Sequence, residues 1–300
     1  MDSATFLKKM ADLAAQCPAG QPIPEDEASK LPIHVERIGV SGPRVLIIHG
    51  GVQGSIGGGS KSFIKHKALA EMGWQIELVE RPGFGRSPSR GVDDMNADAA
   101  WIFEMLAGGA HLIGHSWGGG EALLAAARRP QAVSSLILIE PAVQGLAMTD
   151  PIVAVDPEAQ ATVLGLIGDL AKTSTPSEFA AAFLRNLGAP ISGLTEFDLT
   201  DTNALTELGC SVLRGRTGSP KEMRQAAEIV AKANIPTLVI GGGWSKGFEL
   251  LCEIAARATN GRHVLVPSPN HFPQFESPDE FNRVVDKFMR DSDQARPSSR

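Results

Sequence analysis

The chain has 300 residues, 43% hydrophobic and 21% charged, which suits one large domain or a domain carrying an inserted subdomain. Twenty-eight Lys and Arg against 34 Asp and Glu leave a net charge of −6 with no long basic run, so neither nucleic acid nor an anionic membrane is an expected partner. Tyrosine is absent, which removes every mechanism that needs a phenol. Cys17, Cys210 and Cys252 are isolated, odd in number and without metal-ligand spacing, and they read as buried or incidental thiols of a reducing compartment. No stretch is apolar enough to span a bilayer, and the N-terminus lacks a basic region ahead of an apolar core, so the expected location is cytoplasmic.

Residues 1–30 form a helical extension in this reading, with Phe6, Met10 and Leu13 set against Lys8, Lys9 and Asp12. Strands are predicted at 33–40, 44–49, 75–80, 110–114, 134–140, 237–241 and 263–267. The first two flank Ser41-Gly42-Pro43, a tight turn, and are expected to pair antiparallel. Helical runs near 62–72, 93–107, 119–129, 246–256 and 278–291 alternate with the later strands. That alternation implies an α/β fold, a mainly parallel sheet covered on both faces. After Glu140 the alternation breaks. Helical patterns at 157–171, 177–186 and 220–233 fill an interval too long for one crossover, and we read 142–233 as a helical cap over the sheet's C-terminal edge. The core is then 31–141 with 234–291, and the polar tail 292–300 is expected to be disordered.

The chemistry centres on Gly114-His115-Ser116-Trp117-Gly118, a G-x-S-x-G between a predicted strand and a predicted helix. Such a turn projects a serine hydroxyl into a cleft while the free N–H groups of the new helix lie close by. His49-Gly50-Gly51-Val52 follows an earlier strand, where glycines can turn an amide toward a substrate oxygen. The expected oxyanion donors are the amides of Gly51 and Trp117, with Val52 as the alternative to Gly51. Glycines continue through Gly57-Gly58-Gly59, but Ser60-Lys61-Ser62 does not make a phosphate loop. His271, in Ser268-Pro269-Asn270-His271-Phe272 after the last strand, is placed to act as the base. The third member, an acid, falls on Glu140 at a strand tip before Pro141, with Glu249 as the alternative. Pocket candidates are Trp244, Leu164, Phe179 and Phe183. Arg81 and Arg86 could meet an anion or form structural pairs. No metal or cofactor is called for.

Taken together, the His49-Gly50-Gly51 turn, Arg81-Pro82-Gly83-Phe84-Gly85-Arg86-Ser87, the Ser116 turn and Asn270-His271-Phe272 ahead of Glu276-Ser277-Pro278 resemble the α/β-hydrolase fold, from about Ile33 to Met289. The resemblance implies an eight-stranded sheet, of which the first strand is not recognisable here. It also implies hydrolysis through an acyl-enzyme on Ser116. The commonest acid position in that family falls in Gly242-Gly243-Trp244-Ser245-Lys246-Gly247, which holds no carboxylate; some members carry the acid where Glu140 stands. The expected activity is hydrolysis of a carboxylic ester, lactone or thioester of a small, partly apolar substrate. Alternatives are cofactor-independent C–C hydrolysis or oxygenation, or ligand binding without turnover. A serine nucleophile sets the chain apart from the epoxide hydrolases and dehalogenases of this fold, which use aspartate. Oligomeric state is not readable from the sequence.

Overall fold

A computed structural model describes residues 3–18, 27, 30–53, 59–189 and 199–295. Seven strands form one sheet: β1 (Val35–Ile38), β2 (Arg44–Ile48), β3 (Gln75–Val79), β4 (Ala110–His115), β5 (Val133–Ile139), β6 (Thr237–Gly241) and β7 (Arg262–Leu265). Their spatial order is β1-β3-β2-β4-β5-β6-β7, with β1 antiparallel to β3 and every other pair parallel. The central strands are apolar on both faces because both are covered. Leu46, Leu112 and Leu138 face one layer with Ile102, Leu123 and Leu251, while Ile47, Ile113 and Ile137 face the other with Phe63, Phe281 and Val285.

The helices are α1 (Ser3–Ala14), α2 (Lys67–Glu71), α3 (Met95–Met105), α4 (Ser116–Arg128), α5 (Gln144–Met148), α6 (Pro157–Gly168), α7 (Pro176–Asn186), α8 (Thr202–Arg214), α9 (Pro220–Lys232), α10 (Lys246–Ala258), α11 (Pro273–Glu276) and α12 (Pro278–Ala295). Local chemistry fixes their starts. Asp94, Asp156 and Asp201 each accept backbone N–H bonds at an N-cap, and Ser219 with Glu222 forms a capping box followed by Pro220. Within the 142–233 interval, α7 packs on α8, whereas α9 lies beside α4.

Four expectations change. The first two strands do not pair: β2 lies between β3 and β4, and β1 pairs with the outer edge of β3. Residues 39–43 are enough to step across one intervening strand, about 10 Å of travel. Pro43 O then accepts the Gln75 N–H at 3.0 Å as the chain crosses the start of β3. The second concerns the cysteines. Cys17 and Cys210, 193 residues apart, form a disulfide between the end of α1 and α8, and only Cys252 is a free, buried thiol. Sequence spacing reports nothing about such a distant contact, and the bond removes the argument for a reducing compartment. Third, the tail is helical as far as Ala295, because Phe281, Val285, Phe288, Met289 and Ser292 make a buried stripe and Lys287–Asp291 and Asp286–Arg290 pair on the outside. Residues 296–300 lie outside the described set, as do Gly54, Gly57 and Gly58 of the glycine-rich stretch. Fourth, α8 was not expected at all. Among the described residues the sheet starts at β1, and no helix is long and apolar enough to cross a membrane.

Candidate active site

Ser116 follows β4 directly and opens α4 with φ +52, a left-handed conformation that costs a β-carbon residue on the order of 1–2 kcal/mol. Close packing holds it there. A Cβ on Gly118 would come within 2.4 Å of His49 O, and one on Gly50 within 2.7 Å of the Ser116 Cβ, so only glycine lets the β2 exit, β4 and α4 meet. The parallel register pairs His115 with Ile139, so the next residues, Ser116 and Glu140, stand side by side at adjacent strand tips. Glu140 is also left-handed, at φ +37. Each tip turns its side chain out of the sheet by the same backbone device.

Glu140 is fully buried. Its Oε2 accepts from His271 Nδ1 at 2.5 Å, and its Oε1 accepts from the Gly242 N–H at 2.8 Å. The Trp244 indole N–H reaches both oxygens, at 2.9 and 3.1 Å. With Nδ1 donating to the carboxylate, the other ring nitrogen of His271 is the basic one. That Nε2 is buried and has no hydrogen-bond partner among the described residues. The His271 backbone is held as well: its N–H donates to Leu187 O at 3.2 Å, and its carbonyl accepts from His115 Nε2 at 2.8 Å. Phe248 packs against the imidazole at 4.5 Å between ring centres, and His115 at 4.9 Å. Burial, and then the neighbouring His271, hold His115 well below the usual histidine range, so this second ring stays neutral beside the first. Glu249, the alternative acid, is engaged elsewhere, accepting from the Gly243 N–H at 2.7 Å and pairing with His263 at 3.1 Å.

The loop after β2 is fixed from below. The Arg81 N–H donates to His49 Nε2 at 3.0 Å, which leaves His49 Nδ1 to donate to Gly50 O at 2.9 Å. Burial, aided by the Arg81 charge, lowers the His49 pKa to about 3 and keeps that tautomer neutral. Arg81 Nη1 donates to Gly51 O at 2.6 Å. Two successive carbonyls therefore point toward His49 and Arg81, and the planar trans peptide turns the Gly51 and Val52 N–H groups the other way. Trp117 is in the first turn of α4, where backbone N–H groups have no helical acceptor. Arg81 itself is completely buried against Asp93, Asp98 and Glu121 at 3.0, 3.1 and 2.6 Å, so it is a structural ion, while Arg86 is exposed beside Glu80. Burial would lower the Arg81 pKa, but these three acids outweigh it and raise it.

Of the pocket candidates, Phe179 is buried and stacks on the half-buried Phe183 at 6.5 Å within α7, and Leu164 is 38% exposed on α6. Trp244 faces two ways. Its indole N–H meets Glu140, and the residue also borders a groove of about 470 Å³ with Leu166, Arg185 and Lys246. Reasoning from motifs missed this role of Trp244, and those of Phe248 and His115. The one usable signal was the glycine-rich loop without a carboxylate, which supplies N–H donors to an acid on the next strand. A second Ser–His–Asp line exists: Ser135 Oγ lies 2.8 Å from His111 Nδ1, and His111 Nε2 lies 3.2 Å from Asp293. Ser135 and His111 are 0% exposed, so no substrate reaches that serine.

The parallel sheet, the Ser116 turn at the C-terminal end of β4 and a buried His–Glu pair beside it describe a hydrolase of the α/β class. The family model for the alpha/beta hydrolase fold matches residues 43–278, and the chain belongs to that family. It is similar to a 2-hydroxy-6-oxononadienedioate/2-hydroxy-6-oxononatrienedioate hydrolase of Burkholderia vietnamiensis, 25% identical over 88% of this chain and 93% of the relative. A pimeloyl-[acyl-carrier protein] methyl ester esterase of Aeromonas hydrophila is 28% identical over 86% of this chain and 99% of the relative. Among solved structures, a bacterial membrane phospholipase A superposes with a TM-score of 0.62 at 21% identity, over 98% of this chain and 92% of that one.

Proposed function

We propose that the protein is a serine hydrolase acting on a carboxylic ester, lactone or thioester of a small, partly apolar substrate. The observation that carries the reading is the 2.5 Å bond from His271 Nδ1 to Glu140, the neighbour of Ser116 at the adjacent strand tip, which leaves Nε2 as the basic ring nitrogen. Ser116 Oγ attacks the carbonyl carbon as His271 Nε2 takes its proton. Glu140 stabilises the imidazolium, and the amides of Gly51 (or Val52) and Trp117 hold the oxyanion. Collapse expels the alcohol or thiol, which receives the proton from His271. Water then attacks the acyl-enzyme by the same route, returning Ser116 with its proton and releasing the acid. The helices of 142–233 ahead of α9 act as a cap, and Phe183 and Trp244 border the pocket.

Intact-mass analysis after fluorophosphonate treatment tests the reading. One adduct on the wild type and none on Ser116→Ala supports it, and no adduct on the folded wild type refutes it. Hydrolysis of a C–C bond in a 2-hydroxy-6-oxodienoate is the second reading, favoured by the similarity to the Burkholderia enzyme along most of the chain. Side-by-side assay of such a dienoate and of short methyl esters separates the two.

A further inference from the structure

We infer that Trp244 is a positioning residue for Glu140, its indole N–H setting the carboxylate that orients His271. The inference rests on the serine-hydrolase reading and adds a residue to it. Glu140 is fully buried, and among the described residues its one ion-pair partner is His271, so no lysine or arginine compensates its charge. It relies on N–H donors instead. Among the described residues these are, besides His271, the Gly242 amide and the Trp244 indole, and of the three the indole alone reaches both carboxylate oxygens. A glutamate side chain has more torsional freedom than the aspartate that commonly fills this role, so a donor bridging its oxygens fixes the rotation that the backbone leaves open.

Trp244 is itself held in a closed circuit. It stacks on Phe248 at 5.3 Å and 29°, and Phe248 packs on the His271 ring at 4.5 Å. Gly242, two residues before it, admits the indole: a Cβ there would come within 2.8 Å of Trp244 Cδ1 and 2.9 Å of Glu140 Oε1. Three other ionisable groups lie near Glu140, and none can replace the indole. Cys252, its thiol pushed well up by burial and then by Glu140, points to Ile240 O; His115 is held neutral; Glu249 is engaged by Gly243 and His263.

The direction of the effect follows from charge. The indole bond favours the carboxylate most when His271 is neutral, because an adjacent imidazolium already satisfies part of the negative charge. Without the indole the carboxylate depends more heavily on the charge of the ring beside it.

Trp244→Phe keeps an aromatic stack on Phe248 and deletes the N–H. The rate of fluorophosphonate labelling at Ser116 is followed from acid to mildly alkaline pH in the wild type, Trp244→Phe, Glu140→Gln and the double variant. Loss of a charge-assisted donor should slow labelling about tenfold at neutral pH and move the midpoint of its rise with pH upward. In the Glu140→Gln background the same substitution should change the rate by no more than about twofold, because it acts through Glu140. Wild-type rate and midpoint in Trp244→Phe, or independent multiplication of the two effects, overturns the assignment.

Failure of the wild type to label is a different result, which removes the serine-hydrolase reading. In that case, or if Trp244→Phe does not fold, the indole N–H spectrum decides. Of the four tryptophan indoles, those of Trp74, Trp101 and Trp244 donate to carboxylates, and one of these downfield resonances should shift in Glu140→Gln; no such shift overturns the Trp244–Glu140 link itself.

Discussion

Arg81→Met removes the buried guanidinium that pairs with three buried acids. In the native protein the guanidinium meets Asp93, Asp98 and Glu121 at 2.6–3.1 Å and also holds Gly51 O at 2.6 Å. Burial already raises the pKa of Glu121 well above its ordinary value and raises Asp93, with Arg81 pulling both back. Truncating one partner of a buried ion cluster costs about 3–5 kcal/mol, a large share of a typical 5–15 kcal/mol of stability. The pH dependence has a definite sign. Acids whose folded pKa is raised contribute their full stability below the unfolded pKa and lose it as pH rises through the folded value. Without Arg81 the folded values rise further, so the deficit of the variant should grow from acid toward neutral pH. Urea unfolding followed by tryptophan fluorescence at two pH values measures it. A variant within about 1 kcal/mol of wild type at neutral pH, or a deficit that shrinks with rising pH, would refute the reasoning.

Glu121→Gln should match the wild type in acid and become the more stable protein as pH rises, because the raised pKa of Glu121 takes stability away on that side; urea midpoints across pH check this. His66 is lowered from 6.5 to about 4 by burial, against a raising bond from Asn282. Its contribution is complete above 6.5 and is lost toward 4, so His66→Gln should flatten the acid-side fall in stability by about 1.4 kcal/mol per pH unit, read from unfolding curves across that window. Cys17→Ser opens a covalent loop spanning a separation of 193 residues and should cost up to about 5 kcal/mol. Reduced wild type should melt with the variant, and equal melting of oxidised and reduced wild type would refute that.

The strands from β2 onward and the Ser116 turn were legible because both are local. Apolar runs such as Leu136–Ile139 and the G-x-S-x-G fix conformation within a few residues. Glu140 was reachable by position, since a carboxylate at a strand tip must project toward the same edge as the neighbouring serine. The order of β1 was not legible, because a turn with Gly42 and Pro43 suits a hairpin as well as a step across β3. The Cys17–Cys210 bond and the Trp244 indole bond are long-range contacts that leave no periodic trace. Helix α8 was obscured because Gly209 interrupts its pattern; a Cβ there would lie 2.0 Å from Pro176 O, so the glycine answers to the crossing with α7 rather than to helix propensity.

In the proposed mechanism, the side-by-side placement of Ser116 and Glu140 also separates chemistry from variation in this chain. Both stand on one rigid strand pair, and both precede the helices of 142–233 in the chain. Only His271 must be brought back after that excursion, and its backbone is tied to His115 and Leu187. The intervening helices are thus the natural place for exchange: a different set can be grafted between Pro141 and α9 while two of the three side chains keep their spacing. A graft must then restore one registration, that of the loop carrying His271, because the Leu187 carbonyl that ties this loop lies within the exchanged segment.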